Sequence, residues 1–450
     1  MDMNRNNMPF FFILLFLSIC YVNCQYHEYP PTDIQIQSLD NTNRSQIIWM
    51  VPSWPCKNIK PINVQKYGIR ENEDQKFVGG KEFAIFYQET FGKVPYFEKQ
   101  NVSKPHNGGL PQNGNIDEHL KEARKNIIET IPDEDFDGIA VIDIEEFRPN
   151  WELSWGVFEV YQRESIKLAR RRNPYASEKR VLRIAEKEYN EACREFFVRT
   201  IRLGKELRPY AKWGYYLFPK CNAGVGKTYQ VDCSTKFQIY NNNLKWLWQE
   251  STALFPSMYL YPQHKYVPDF NYVDAGALIM ETRRIKNEYC PECEIHVFTK
   301  IEYNPYSELD DFYSKQNLAS TMDLAIKMNV DSVVIWSTSK NIQKRCPHIS
   351  GYVDNTLGPF VQLINRQMDK CRIDKCSNRG ECYLNKPRKN PQYFNYQCRC
   401  DYPFTGSKCE GTDPNASYGV PNMKSRKQMI HSNYYQTSYN APNHNYNKGE

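Results

Sequence analysis

Two carboxylates follow an apolar run in the first half of the chain, and their spacing suggests acid–base chemistry. Residues 138–142 read Gly-Ile-Ala-Val-Ile, and Asp143, Ile144 and Glu145 come next. Side chains alternate along a strand, so Asp143 and Glu145 should point to one side and Ile144 to the other. Burial and like-charge repulsion favour a proton on one of the two carboxyls, and cleavage at a glycosidic oxygen requires such a proton. A solvated strand end rich in acids is the plainer interpretation of this pair alone.

Short apolar runs alternate with helical stretches along most of the chain. The runs that predict strands are residues 47–51, 83–87, 138–143, 212–216, 256–260, 294–299 and 332–336. Helices are predicted over residues 119–130, 164–207 with a break at Asn173 and Pro174, 242–254, 274–287 and 307–328. Such alternation indicates the α/β class, with a parallel sheet covered by helices. The number of units favours a TIM-like (β/α) barrel. A doubly wound sheet is the alternative, but no glycine-rich nucleotide fingerprint follows the first strand.

Aromatic residues recur at the predicted strand ends, where barrels of this class carry their chemistry. Tyr87, Tyr216, Tyr259 and Trp336 occupy four of these ends, and the acid pair occupies a fifth. A core position explains any one aromatic residue at least as well as a functional role does. Together, two acids ringed by aromatic residues predict a sugar-binding cleft.

The N-terminus and the composition indicate the secretory route. Residues 9–20 are apolar but too short to span a bilayer comfortably, so residues 1–24 are predicted to be a signal peptide cleaved near Cys24. Residues 25–45 would be an N-terminal extension, and no later segment resembles a membrane helix. Sequons at Asn43, Asn101 and Asn415 predict glycosylation. Thirteen of the 15 cysteines follow the signal peptide, so at least one thiol has no partner within the chain.

The C-terminal region has a composition of its own. Residues 371–409 hold six cysteines and resemble an EGF-like module. Six cysteines allow fifteen pairings. Zinc binding is the competing interpretation, which the secretory context and the irregular spacing disfavour. We therefore expect a catalytic barrel over residues 46–368, the module over residues 369–410 and a disordered polar tail over residues 411–450.

Several separated segments together resemble the hyaluronidase family, glycoside hydrolase family 56. They are residues 49–56, 84–87, 108–113, 143–145, 213–221, 246–248, 256–259, 333–336 and 356–360, in the order of the family. The resemblance implies a distorted (β/α) barrel with a long groove across its top. It also implies hydrolysis of the β-1,4 bond after N-acetylhexosamine in hyaluronan, in chondroitin or in both.

The resemblance assigns roles residue by residue. Glu145 matches the acid/base of the family, Asp143 its partner, and Tyr259 the tyrosine that contacts the acetamido group of the substrate. Tyr87, Tyr216 and Trp336 match other groove residues. The implied disulfides are Cys56–Cys346, Cys221–Cys233, Cys371–Cys382, Cys376–Cys398 and Cys400–Cys409. Cys193, Cys290 and Cys293 are left over, and the sequence does not decide how they pair.

The spacing of the two acids limits the mechanism. Carboxyls two residues apart on one strand are too close to flank a sugar from opposite faces, which favours one acid/base and one helper. This agrees with the retaining, substrate-assisted mechanism that the resemblance implies. The chain departs from the family at Ile144 and Phe147, where tryptophan is usual. It also has Asn304 where a groove aspartate is common, which could alter substrate binding or the pH profile.

The remaining expectations concern partners and location. We expect no cofactor and no metal. The partner would be a polyanionic glycosaminoglycan such as hyaluronan or chondroitin, which the net charge of +6 allows; we expect no nucleic acid partner, no membrane span and a monomeric protein. The protein would be extracellular or lysosomal. A secreted glycosaminoglycan-binding protein without turnover is the alternative function, and the sequence does not distinguish hyaluronan from chondroitin.

Overall fold

The structure, a computed structural model, describes residues 44–222, 224–228, 231–387 and 394–413. The predicted signal peptide, nearly all of the N-terminal extension and of the tail, and the sequons at Asn43 and Asn415 lie outside these residues. Within the described ranges, no helix combines the length and the apolar character needed to cross a bilayer.

The strands are β1 Gln46–Met50, β2 Arg70–Glu71, β3 Phe83–Tyr87, β4 Tyr96–Phe97, β5 Pro105–His106, β6 Ile139–Asp143, β7 Lys212–Tyr215, β8 Ala253–Leu254, β9 Glu294–Thr299, β10 Ser332–Trp336, β11 Gly380–Leu384, β12 Tyr396–Cys400, β13 Phe404–Thr405 and β14 Gly411–Thr412. The α-helices are α1 Ile116–Thr130, α2 Glu159–Arg172, α3 Glu178–Leu207, α4 Thr235–Asn243, α5 Lys245–Trp248, α6 Pro268–Tyr289, α7 Lys315–Leu318, α8 Leu324–Lys327, α9 Ile342–Tyr352 and α10 Gly358–Cys376. A π-helical turn, Ala319–Asp323, joins α7 to α8, and a second, Val353–Leu357, joins α9 to α10.

Two parallel sheets form the walls of a barrel. One has the order β2-β1-β10-β9-β8 and the other β3-β6-β7. A parallel bridge between Tyr216 and Phe255 connects them after β7 and β8. Between β2 and β3, the Asn72 side chain donates a hydrogen bond to the Phe83 carbonyl (3.0 Å) and accepts one from the Phe83 amide (3.1 Å). The result is the distorted (β/α) barrel that the sequence predicts.

Side-chain alternation along the strands explains the layers of the barrel. On β1, Ile48 and Met50 point into an apolar cluster inside the barrel, together with residues such as Val141 and Val334. Ile47 and Trp49 instead join the cluster between the sheet and the helices. Both faces of the strands are therefore buried, which is why they read as continuous apolar runs.

The fifth predicted strand is wrong in its bounds. The structure places β8 at Ala253–Leu254 rather than over residues 256–260, and the helix predicted over 242–254 ends at Trp248. Pro256 has no amide hydrogen to continue the ladder, and pairing with β9 takes Ala253 and Leu254 out of the helix. The predicted break between two long helices is confirmed between α2 and α3.

The cysteine-rich region begins within the last helix, α10. α10 runs through the expected boundary at residues 368 and 369 and carries Cys371 and Cys376. Disulfides join Cys56–Cys346, Cys221–Cys233, Cys371–Cys382, Cys376–Cys398 and Cys400–Cys409. Cys193, Cys290 and Cys293 are buried and lie outside these five pairs.

Candidate active site

The acid pair lies at the carboxyl end of a central barrel strand. β6 pairs with β3 on one side and β7 on the other, and its last residue, Asp143, is in register with Tyr87. Ile144 is 2% exposed and packs into the cluster between the sheet and the helices, as does Phe147. The apolar side chains of this segment therefore lie under the helices, which leaves the barrel mouth to the acids.

Gln88 holds the backbone of the acid segment. Its side-chain oxygen accepts hydrogen bonds from the backbone amides of Glu145 (2.8 Å) and Glu146 (2.9 Å), and its backbone amide donates to the Asp143 carbonyl (3.0 Å). Three hydrogen bonds from one buried residue fix the direction in which Glu145 leaves β6. Gln88 directly follows a predicted strand end, and that position is the signal that could have identified it.

Burial sets the protonation of the two carboxyls. It raises the pKa of Asp143 well above the ordinary range, and the nearby Glu145 and Glu89 carboxylates raise it further. Burial also raises the pKa of Glu145, although the positive charges of Arg148 and Lys220 act in the opposite direction. Oδ1 of Asp143 is buried without a hydrogen-bond partner among the described residues. An uncompensated carboxylate is costly there, so the pair keeps a proton at a higher pH than two ordinary carboxyls would.

Four aromatic side chains lie beside the acids on top of the apolar cluster inside the barrel. Trp336 donates a hydrogen bond from Nε1 to the Tyr87 hydroxyl (3.0 Å). Tyr259 stacks on Trp336 with ring centroids 5.9 Å apart and lies 6.0 Å from Tyr216. The Tyr216 hydroxyl donates to Ser257 (3.1 Å). The structure thus brings Tyr87, Tyr216, Tyr259 and Trp336 together around one mouth, as the sequence analysis expects.

Lys300 packs against Tyr259, one of these four aromatic residues, and against Tyr261. Its Nζ lies 5.2 Å from the Tyr259 ring centroid and 4.3 Å from that of Tyr261, and it donates to the Tyr303 carbonyl (3.2 Å). A buried ammonium over an aromatic ring is held by the ring quadrupole. The Lys300 ammonium therefore helps to hold the Tyr259 ring in place.

Asn304 lies in a short turn. Its amide donates to Ser307 (2.6 Å), and its carbonyl accepts from the amides of Ser307 and Glu308. Tyr306 in the same turn is half exposed, and partial burial, together with the charges of Glu145 and Asp143, raises its pKa. The role of Asn304 in substrate binding stays a prediction.

Two cations, Lys220 and Arg148, interact electrostatically with Glu145. Burial and the Arg148 guanidinium lower the pKa of Lys220 to about 7, whereas Glu145 raises it. Nη1 of Arg148 donates to the Glu145 carbonyl (3.2 Å). The sequence analysis did not single out Lys220 or Arg148, because a lone basic residue in a loop carries no signal of its own.

The comparison with known families decides the affiliation. The hyaluronidase model, glycoside hydrolase family 56, matches residues 36–442. The chain belongs to the hyaluronidase family. It is therefore a glycoside hydrolase, and its barrel, acid pair and aromatic ring belong to an enzyme of this family.

Individual hyaluronidase-family proteins show how similar the chain is. A chondroitin hydrolase from Caenorhabditis elegans is 60% identical over 414 residues, which cover 90% of each chain. A hyaluronidase from Loxosceles intermedia is 30% identical over 386 residues, covering 81% of this chain and 94% of the relative. The crystal structure of bee venom hyaluronidase in complex with a hyaluronic acid tetramer superposes with a TM-score of 0.65 at 28% identity, covering 72% of this chain and all of that one.

Proposed function

We propose that the protein is an endo-β-N-acetylhexosaminidase that hydrolyses the β-1,4 bonds of chondroitin, hyaluronan or both. The observation that carries the proposal is a pair of neighbouring carboxyls of raised pKa at a barrel mouth ringed by aromatic side chains. The 60% identity to a chondroitin hydrolase supports chondroitin as the preferred polymer. We further propose that the enzyme works outside the cell or in lysosomes, reached by the secretory route.

The mechanism assigns the nucleophile to the substrate. Asp143 and Glu145 are neighbours on one segment, so they do not flank a sugar at the separation of an inverting or retaining pair. The acetamido oxygen of the substrate attacks the anomeric carbon, and the carboxyl of Glu145 donates its proton to the leaving oxygen. Glu145 then takes a proton from the water that opens the cyclic intermediate, with net retention of configuration.

The neighbours of Glu145 orient the internal nucleophile. Asp143, which burial keeps protonated over a wide pH range, and the Tyr259 hydroxyl hold the acetamido group near attack geometry. Tyr87 and Tyr216 offer ring faces and hydroxyls to the sugar, and Trp336 offers its indole ring. Trp336 supports Tyr259 by stacking on it. No step of this sequence requires a metal or another cofactor.

Glu145→Gln tests the proposal. Gln88 contacts only the backbone at this position, so the variant should be secreted and folded like the wild type. Loss of the general acid should lower kcat on chondroitin and hyaluronan by about 10²- to 10⁴-fold or more. Purified polymers are digested between pH 3.5 and 7.5 and the products are sized; a hydrolase gives even-numbered saturated oligosaccharides.

Glu146→Gln is the matched control, because it removes a charge one residue further on. Glu146 accepts a hydrogen bond from Gln100 (2.6 Å) and is assigned no step, so this variant should keep most of its activity. Turnover near the wild-type rate in Glu145→Gln would refute the assignment. Unsaturated product ends would show a lyase, and tight binding without any turnover by the wild type would favour a binding protein.

A further inference from the structure

Arg148 and Lys220 lie in the segments that follow the paired strands β6 and β7, and Nη1 of Arg148 donates a hydrogen bond to the Glu145 carbonyl (3.2 Å). Lys220 follows β7, and Asn241 clamps its backbone: Nδ2 donates to the Lys220 carbonyl (2.8 Å), and Oδ1 accepts from the Lys220 amide (3.2 Å). Arg148 follows β6, and its Cζ lies 3.9 Å from the ring centroid of Phe158. The Lys220 ammonium lies 5.6 Å from the ring centroid of Phe218, so both cations pack against aromatic rings that leave their charges intact.

The charges of these two residues are not balanced locally. The charged groups that face the Lys220 ammonium are Arg148 and Glu145, both from the segment after β6. The negative charge of Glu146 also interacts with the Arg148 guanidinium and raises its pKa. Within the described ranges, neither side chain forms an ion pair with a carboxylate, in contrast to the buried pair of Arg345 with Glu302 at 2.5 Å. When Glu145 carries the proton that catalysis needs, the excess positive charge is largest.

We propose that Lys220 and Arg148 form an anion subsite that holds one carboxylate or sulfate group of the bound polysaccharide beside Glu145. The inference rests on the proposed function, because a glycosaminoglycan supplies that anion on every disaccharide. Two partly desolvated cations attract an anion more strongly than two fully hydrated cations would, because the effective dielectric constant around them is lower. The planar guanidinium of Arg148 suits either anion, and Lys220 adds a point charge.

Such a contact would couple binding to catalysis. In the free protein, Arg148 and Lys220 stabilise the ionised form of Glu145 and so lower its pKa. An anion between them offsets this effect, so the bound substrate favours the protonated Glu145 that the reaction needs. Since the pKa of Lys220 is lowered to about 7, its charge is present below that pH and is lost above it. The contact should weaken as the pH rises through neutrality.

The test compares Lys220→Met with Lys220→Arg and with Lys370→Met, which removes an 80% exposed lysine from α10. Steady-state kinetics at pH 5 and pH 8 use unsulfated chondroitin, chondroitin 4-sulfate and carboxyl-reduced unsulfated chondroitin. Lys220→Met should raise KM at pH 5 by about tenfold or more, as expected for a lost charged hydrogen bond, and by less at pH 8. Lys220→Arg should recover most of the affinity, and Lys370→Met should resemble the wild type.

The polymers distinguish the two sources of the anion. If Lys220→Met raises KM on unsulfated chondroitin and on chondroitin 4-sulfate but not on carboxyl-reduced chondroitin, the bound anion is the carboxylate. A larger KM on the sulfated polymer alone identifies the sulfate. A KM within about twofold of the wild type on every polymer, or an equal increase on the carboxyl-reduced polymer, would overturn the subsite.

A binding measurement separates this inference from the proposed function. Calorimetry compares a chondroitin hexasaccharide titrated into Glu145→Gln and into the double variant Glu145→Gln with Lys220→Met. A larger Kd in the double variant supports the subsite, even if the wild type shows no turnover. Absence of turnover in the wild type would count against the proposed function alone. An unchanged Kd overturns the subsite while leaving hydrolysis intact. Melting temperatures of all variants verify that the fold survives.

Discussion

At the scale of single residues, the site depends on two neighbouring carboxyls whose pKa values are raised. Asp143 ends β6 and has a buried oxygen with no hydrogen-bond partner in the described part of the chain. Burial, Glu145 and Glu89 all raise its pKa. A stable fold would gain from a neutral residue here, so this position sacrifices stability for function.

Asp143→Asn should therefore stabilise the protein at neutral pH while lowering its activity. Between the ordinary aspartate pKa of 3.8 and the raised native value, the native state binds more protons than the unfolded state. Stability then falls as the pH rises through that window, and a neutral side chain avoids the loss. We expect Tm to rise by about 2 °C or more at pH 7 and to change little near pH 3, while kcat falls about tenfold or more.

Thermal melts at both pH values, with kcat measured on chondroitin, check this prediction. An equal or lower Tm for Asp143→Asn at pH 7 would show that the native state tolerates the charge. A Tm increase of the same size at pH 3 would point to packing rather than to protonation.

At the scale of elements, the last helix joins the cysteine-rich region to the barrel. α10 carries Cys371 and Cys376 and begins in the same apolar cluster that contains Leu384 of β11. Arg283 of α6 donates hydrogen bonds to the carbonyls of Leu384 and Asn385, both at 3.2 Å. The boundary expected at residues 368 and 369 thus falls inside a helix, and the region packs as an extension of the barrel.

Leu384→Ala should destabilise the barrel itself. Leu384 is 2% exposed within the shared cluster, and truncating a buried leucine costs about 2–5 kcal/mol. The matched control is Leu182→Ala on α3, where the side chain is 43% exposed, and we expect a change within about 0.5 kcal/mol. Urea denaturation followed by the fluorescence of the buried Trp49 and Trp213 measures both. A barrel transition unaffected by Leu384→Ala would show that the module is energetically independent.

At the scale of the whole molecule, the ends of the barrel are joined covalently. β1 pairs with β10 in full register from Gln46 to Met50. Cys56 follows β1 and Cys346 lies in α9 after β10, so their disulfide closes the seam over a sequence separation of 290 residues. The Cys221–Cys233 disulfide closes a loop of only 12 residues on the rim.

Removing the seam disulfide should cost more than removing the rim disulfide. The chain-entropy argument gives about 5–6 kcal/mol for the long loop and about 3 kcal/mol for the short one. The double variants Cys56→Ser with Cys346→Ser, and Cys221→Ser with Cys233→Ser, are compared by urea denaturation under non-reducing conditions. Equal losses in the two variants would mean that native-state packing, rather than loop closure, sets the contribution of the seam.

The sequence by itself predicted most of the strands and proposed the acid pair. Continuous apolar runs identified six of the seven principal strands, because strands buried on both faces have no polar positions. The spacing of Asp143 and Glu145 predicted that both point to one side, because alternation along a strand is local geometry, and the aromatic residues at the other strand ends favoured a catalytic role for the pair. The resemblance named the aromatic partners, and the structure brings them together at one mouth. The glycosylation of Asn101, which is exposed in the structure, stays a prediction.

Only the tertiary structure decided what surrounds the acids. Gln88 reaches Glu145 across 57 positions of sequence, and Lys220 approaches it from a different strand end. The short β8 exists because β9 pairs with it, not because of its own propensity. These features depend on contacts between distant segments, and the burial that raises the pKa of both carboxyls exists only after the barrel closes.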